Sequence, residues 1–265
     1  MPDFVFPPMP PAWVAIQGSD QRFPVHRIYC VGKNYAEHAR EMGSDPEREP
    51  PCFFSKPADA VTPGVGEVPY PPGTENLHHE IELVVALGAG GRDLNPAQAL
   101  DRVMGYAVGV DLTRRDLQAA AKKSGLPWDT AKGFDFSAPI SPITRVEHGS
   151  ALLGGRIWLE VNGEMRQQAD IADMTWSVGE VLSHLSRLFE LRAGDLVFTG
   201  TPAGVGPVTP GDRLRGGVEG LQEIRVLISP ARTAGPSSGG IDPGQGGHSG
   251  VGADCRHWPD GELDD

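Results

Sequence analysis

Seven short stretches carry the apolar density of β-strands: RIYCVG (27–32), CFFSK (52–56), EIELVVALG (80–88), GYAVGVDL (105–112), RIWLEVNG (156–163), DLVFTG (195–200) and EIRVLIS (223–229). Helical patterns are fewer and shorter. YAEHAREM (35–42) follows Asn34, a favourable N-cap, and ends at Gly43. NPAQALDRVM (95–104) offers Asn95 as cap with Pro96 at the first helical position. RDLQAAAKKSG (115–125) closes on a glycine, and SVGEVLSHLSRLFEL (177–191) starts at Ser177. Strands and helices do not alternate regularly, which argues against a doubly wound sheet. The pattern predicts an α+β, mostly β domain with short peripheral helices.

One strand breaks its own pattern. In LHHEIELVVALG (77–88), Ile81, Leu83, Val84, Val85 and Leu87 read as buried, yet Glu80 and Glu82 interrupt them. Residues two apart on a strand share a face, so the two carboxylates stand side by side. They repel unless a proton or cation separates them, and burial raises the cost. Asp111 closes the apolar run GYAVGV and joins them as a third candidate. Three carboxylates without a nearby cysteine suit a hard cation such as Mg²⁺, Mn²⁺ or Ca²⁺. The same spacing also fits a solvated strand face paired with lysines.

Other polar groups add to this picture. On a helix over 35–42, His38 and Glu41 lie three apart and share a face. A carboxylate there can orient an imidazole as a general base, although an exposed polar pair on a lid helix has the same spacing. Lys132 in AKGFDFSAP, with Arg114, Arg115 and Gln118 in DLTRRDLQ, offers cations for an anionic substrate. Lys122 and Lys123 read as surface charge. The loop FTGTPAGVGPVTPGD (198–212) exposes threonines and backbone N–H groups suited to a carboxylate. Its Gly-x-Gly lacks the following helix and acid of a dinucleotide site.

Composition narrows the functional classes. The chain has 265 residues, and Pro and Gly together number 60, which favours short strands and tight turns. A net charge of −12 with no basic cluster argues against nucleic acid. No apolar run has the roughly 18–20 residues needed to cross a bilayer, and the N-terminus lacks a secretory pattern. Three cysteines, Cys30, Cys52 and Cys255, form no metal-spaced pair and fit a reducing, cytoplasmic setting. The expected organisation is an N-terminal extended arm over 1–26, a single catalytic domain over 27–230 and a tail over 231–265. The tail carries nine glycines and few large apolar residues, so disorder is expected there.

Seven segments in order resemble the fumarylacetoacetate hydrolase family, from about Arg27 to Ile228. They are VGKNYAEHAREMG, FFSKPADAV, ENLHHEIELVVALG, GYAVGVDLTRRDLQ, GLPWDTAKGFDFSAPISP, VNGEMRQ and LVFTGTPAGVGPVTPGD. The likeness is greatest to the fumarylpyruvate hydrolase and acylpyruvase branch, and with the former it extends upstream into the arm. The resemblance implies a mixed β-roll or sandwich, usually a homodimer, with one Mg²⁺ or Mn²⁺ per site on Glu80, Glu82 and Asp111. It implies a His38–Glu41 pair on a closing lid (about 34–50), an active-site Lys132, and substrate contacts from Arg115, Gln118 and the Gly200–Thr201 turn. The implied reaction is cleavage of a 2,4-diketo acid such as 3-fumarylpyruvate. Oxaloacetate decarboxylation and dienedioate isomerisation or decarboxylation are the alternatives within the family. A second carboxylate on fumarylpyruvate needs its own cation; Arg114 is the expected partner, with Arg40 next.

Overall fold

A computed structural model describes residues 4–37, 50–147 and 149–232. Its centre is an eight-stranded mixed sheet. Seven strands run in the order Cys52–Lys56, Arg27–Gly32, Asp195–Phe198, Ile81–Leu87, Val103–Val110, Ala138–Ile140 and Val61–Pro63. The eighth, Thr144–Arg145, pairs with Val103–Val110. A five-stranded sheet holds Glu164–Asp170, Arg156–Val161, Arg213–Val218, Ile224–Ser229 and Val65–Pro69. A small three-stranded sheet joins Thr113–Arg114, Leu77–His79 and Gly206–Val208.

The central strand Ile81–Leu87 is buried at every position, and its pleat divides the interior in two. Ile81, Leu83, Val85 and Leu87 face the larger core, shared with Ile157, Leu159, Leu214 and Val226 of the five-stranded sheet. Val84 and Ala86 face a smaller core with Cys30, Ala107, Leu196 and Phe198. Period-2 alternation puts Glu80 and Glu82 on that second face. The carboxylates therefore end the smaller core rather than lying on an open sheet.

All seven expected strands form, shifted by no more than two residues at either end. The helices at Arg115–Ser124 and Val178–Leu188 form where expected. Gly125 closes the first in the left-handed conformation (φ 65°), and a Ser177–Glu180 capping box opens the second. The helix expected over 95–104 stops at Leu100, because Val103 and Met104 start the next strand. Only the beginning of the helix expected over 35–42 lies within the described residues. The first 26 residues are not extended throughout. Trp13–Ile16 and Ser19–Pro24 form an antiparallel hairpin that buries Val14, Ile16 and Phe23 in the smaller core. The turn Gln17–Gly18, with Gly18 at φ 68°, permits this reversal.

Candidate metal and substrate site

The chain changes sheets at Glu80. Leu77–His79 belongs to the three-stranded sheet and Ile81–Leu87 to the eight-stranded one. Antiparallel pairing of Ile81 with Val110 and of Glu82 with Gly109 puts Asp111 opposite Glu80. The Asp111 N–H donates to the Glu80 carbonyl at 2.8 Å. Glu80, Glu82 and Asp111 thus converge on one face at the end of the smaller core, and all three are buried. Each offers a carboxylate oxygen within 4.8 Å of the others, the one such metal-capable group among the described residues.

Basic side chains meet two of the three carboxylates. Lys132 Nζ, itself buried, donates to Glu80 Oε2 at 2.7 Å and to Asp111 Oδ2 at 2.6 Å. The Arg115 guanidinium ion-pairs with Glu80 Oε1. Lys56 Nζ lies 2.8 Å from Asp111 Oδ1 and donates to the Leu112 and Lys132 carbonyls. Burial opposes a charged Lys132, but the Asp111 and Glu80 carboxylates outweigh it and hold its pKa above the usual lysine value.

Glu82 differs. Its Oε2 accepts a 2.7 Å hydrogen bond from the Gly200 N–H, and no lysine or arginine pairs with it among the described residues. Burial, then the Asp111 and Glu80 charges, push its pKa well above the ordinary carboxylate range. The cation or proton that the paired carboxylates require is therefore not a lysine or arginine at Glu82 among the described residues. For Glu80 and Asp111, side chains supply it. An all-oxygen donor set with one uncompensated buried carboxylate fits a hard divalent cation.

A layer of neutral groups fixes the floor of the site. Buried Gln167 accepts from the Ile81 N–H at 3.1 Å and donates to Thr201 Oγ1 and the Pro202 carbonyl, both at 2.8 Å. Its Oε1 lies 2.9 Å from His79 Nδ1. The two bonds donated by Nε2 fix the amide's orientation, so His79 Nδ1 carries the proton. Burial lowers the His79 pKa, against the opposing Gln167 hydrogen bond, and so favours this neutral ring. Thr201 Oγ1 donates in turn to the Ile81 carbonyl at 2.8 Å. Gly200 needs φ 98°, and a Cβ there would lie 2.6 Å from Asn34 Cβ. Asn34 closes this corner, donating to the Thr199 and Trp176 carbonyls.

The cavity over the cluster is small, about 30 Å³. Glu80, Glu82, Lys132 and Thr201 line its floor; Arg115, Gln118, Lys122, Trp128 and Lys33 line its sides and rim. Arg115, Gln118 and Lys122 fall at i, i+3 and i+7 of one helix and so share a face. Lys122 is thus not simply the surface charge expected of it. Its side chain reaches solvent, and partial desolvation, then the Arg115 and Lys33 charges, bring its pKa down to about 8. Arg114, one residue before the helix, is not brought to this cluster. Its guanidinium sits over Phe134 at 4.5 Å, donates to the Thr130 carbonyl and lines a separate cavity of about 420 Å³. His38, Arg40 and Glu41 lie outside the described residues.

Sequence reasoning singled out the carboxylates, Lys132, Arg115, Gln118, Gly200 and Thr201. Glu80, Glu82, Lys132, Arg115, Gln118 and Thr201 line one cavity, and Asp111 and Gly200 join them through hydrogen bonds to Lys132 and Glu82. Sequence reasoning missed Lys56, Gln167 and Asn34. Each sits in a segment already notable for its resemblance (FFSKPADAV, VNGEMRQ, VGKNYAEHAREMG), but nothing local marks the long-range partner that gives it a role.

Three buried carboxylates, bridging ammonium groups and a small cavity make a site that could hold a hard cation beside a small anion. Residues 27–229 match the model of the fumarylacetoacetate (FAA) hydrolase C-terminal domain, and the chain belongs to the fumarylacetoacetate hydrolase family. It is 54% identical to a fumarylpyruvate hydrolase from Pseudomonas aeruginosa, solved in complex with Mn²⁺ and pyruvate. That match has a TM-score of 0.83 and covers 86% of this chain and 100% of the other. An oxaloacetate tautomerase FAHD1, mitochondrial, from Bos taurus is 42% identical over 201 residues, 76% of this chain and 90% of the relative. An oxaloacetate decarboxylase, mitochondrial, from Dictyostelium discoideum is 38% identical over 196 residues, 74% of this chain and 89% of the relative. Among the described residues, no helix is long and apolar enough to cross a membrane.

Proposed function

We propose that this protein is a divalent-metal-dependent hydrolase that cleaves 3-fumarylpyruvate to fumarate and pyruvate in gentisate-type aromatic catabolism, acting as a cytoplasmic homodimer. The observation that carries this reading is Glu82, a buried carboxylate with no basic partner among the described residues, on the floor of a cavity rimmed by cations. The likeness to the P. aeruginosa enzyme, solved with Mn²⁺ and pyruvate, supports the substrate and the metal.

Glu80, Glu82 and Asp111 would hold Mg²⁺ or Mn²⁺, which when bound supplies Lewis-acid charge for a 2-oxo acid. Arg115, Gln118 and the Gly200–Thr201 turn orient the substrate's carboxylate end. His38, positioned by Glu41, takes a proton from water, and the water oxygen adds to the C4 carbonyl. The C3–C4 bond then breaks. Its electron pair passes into the enolate of pyruvate, whose negative charge the Lys132 ammonium helps to stabilise. Protonation at C3 yields pyruvate, and the water oxygen remains in the fumarate carboxylate. Arg114 has no part in this scheme, since it faces the other cavity.

The test is an absorbance assay of 3-fumarylpyruvate with Mg²⁺ or Mn²⁺, with and without EDTA, run beside acetylpyruvate and oxaloacetate. Fast, chelator-sensitive loss of fumarylpyruvate is the expected result. Dominant turnover of oxaloacetate would favour the second reading, a decarboxylase or tautomerase, which the names of the bovine and Dictyostelium relatives support. The same buried cluster serves both, because loss of CO₂ from oxaloacetate also leaves a pyruvate enolate.

A further inference from the structure

A 2,4-dioxo dicarboxylate carries two charged ends, and the inner cations are already engaged. Lys132 bridges Glu80 and Asp111, Lys56 pairs with Asp111, and Arg115 pairs with Glu80. None is left over for a second carboxylate at the far end of the substrate. Arg114 is turned away. Lys122 stands apart from all of these. It is exposed at the rim, on the same helix face as Arg115 and Gln118, and no carboxylate pairs with it among the described residues. Its ammonium lies 5.1 Å from the centre of the Trp128 ring. That aromatic face lines the same cavity and leaves the charge accessible to an anion.

We propose that Lys122, seated against Trp128, is the specificity-determining residue that receives the distal carboxylate of a dianionic 2-oxo acid. The inference rests on the substrate class proposed above. A substrate whose 2-oxo end reaches the carboxylate floor extends its other end toward the rim, where Lys122 stands with Lys33. Lys33 and Arg115 crowd positive charge onto Lys122, and a carboxylate arriving there relieves that repulsion. A monoanionic acyl group gains nothing from it.

Two seven-carbon acids that differ only at the far end isolate this contact: 2-oxoheptanedioate and 2-oxoheptanoate. Titration calorimetry of both into the full-length, Mn²⁺-loaded protein should show the diacid bound about tenfold more tightly, the scale of one charge-assisted hydrogen bond. In K122Q, which keeps much of the side chain's length without the charge, the two affinities should converge while that of the monoacid stays unchanged. A diacid preference that survives in K122Q, or its absence from the wild type, overturns the role of Lys122. Equal loss of both acids in K122Q makes Lys122 a general support of the site and also overturns it. If neither acid binds the loaded wild type, the 2-oxo-acid reading falls and this inference falls with it.

Discussion

Lys132 shows how strongly one side chain can be committed in this site. Its ammonium is buried and joins two carboxylates that flank the paired strands Ile81–Leu87 and Val103–Val110, so removing the charge leaves both acids without their bridge. Breaking a buried ion pair by deleting one partner costs about 3–5 kcal/mol. Lys132→Met should lower the unfolding free energy by roughly that amount in EDTA, measured by urea titration, and should abolish turnover. Divalent cation should recover part of the stability but not the activity, because the positive charge is restored while the enolate loses its partner. Glu82 is the converse case, an acid with no basic side chain to lose among the described residues.

At the scale of elements, the site exists because a chain segment leaves one sheet for another at Glu80. Gln167, projecting from the five-stranded sheet, holds that crossing by bonding the Ile81 N–H, His79, Thr201 and the Pro202 carbonyl. Gln167→Met keeps the volume and removes every one of these bonds. The stranded backbone and side-chain groups should cost roughly 3 kcal/mol, since each buried unsatisfied group costs about 1–3 kcal/mol. Urea unfolding would measure it. Hydrogen exchange should quicken first at Ile81 and in the 200–202 turn rather than in the Val178–Leu188 helix. Uniform exchange across all three would show that Gln167 supports global packing only.

For the whole molecule, the uncompensated carboxylate links metal binding to folding. A cation that binds the native site, and not the unfolded chain, adds about 2.7 kcal/mol at a concentration one hundred times its Kd. Mn²⁺ should therefore raise the Tm of the wild type in a concentration-dependent way that EDTA reverses. Glu82→Gln should unfold at an equal or higher temperature than the wild type in EDTA, because the amide needs neither a buried charge nor the uptake of a proton on folding, and should gain little from Mn²⁺. A full Mn²⁺ response in E82Q would remove Glu82 from the ligand set. The two halves of this prediction have opposite signs, so general destabilisation of the variant cannot mimic them.

Apolar density alone located the seven main strands and the mostly β character, because a buried strand needs a run of β-branched and aromatic residues whatever it pairs with. Capping chemistry located the starts of the helices at 96 and 178, since an N-cap is a bond within four residues. Period-2 geometry put Glu80 and Glu82 on one face for the same reason: it is local. The hairpin over 13–24 and the short strands were not legible, because their runs are short or polar and lack the apolar density that marks a buried strand. Nor was the split between Arg114 and Arg115. Both are cations in adjacent positions, and only the junction of strand and helix sends one to the carboxylates and the other to Phe134. For the same reason Lys122 read as ordinary surface charge and nothing local marked Lys56. Which charges meet depends on contacts between residues far apart along the chain, such as Lys56 with Asp111, and the tertiary fold decides those contacts.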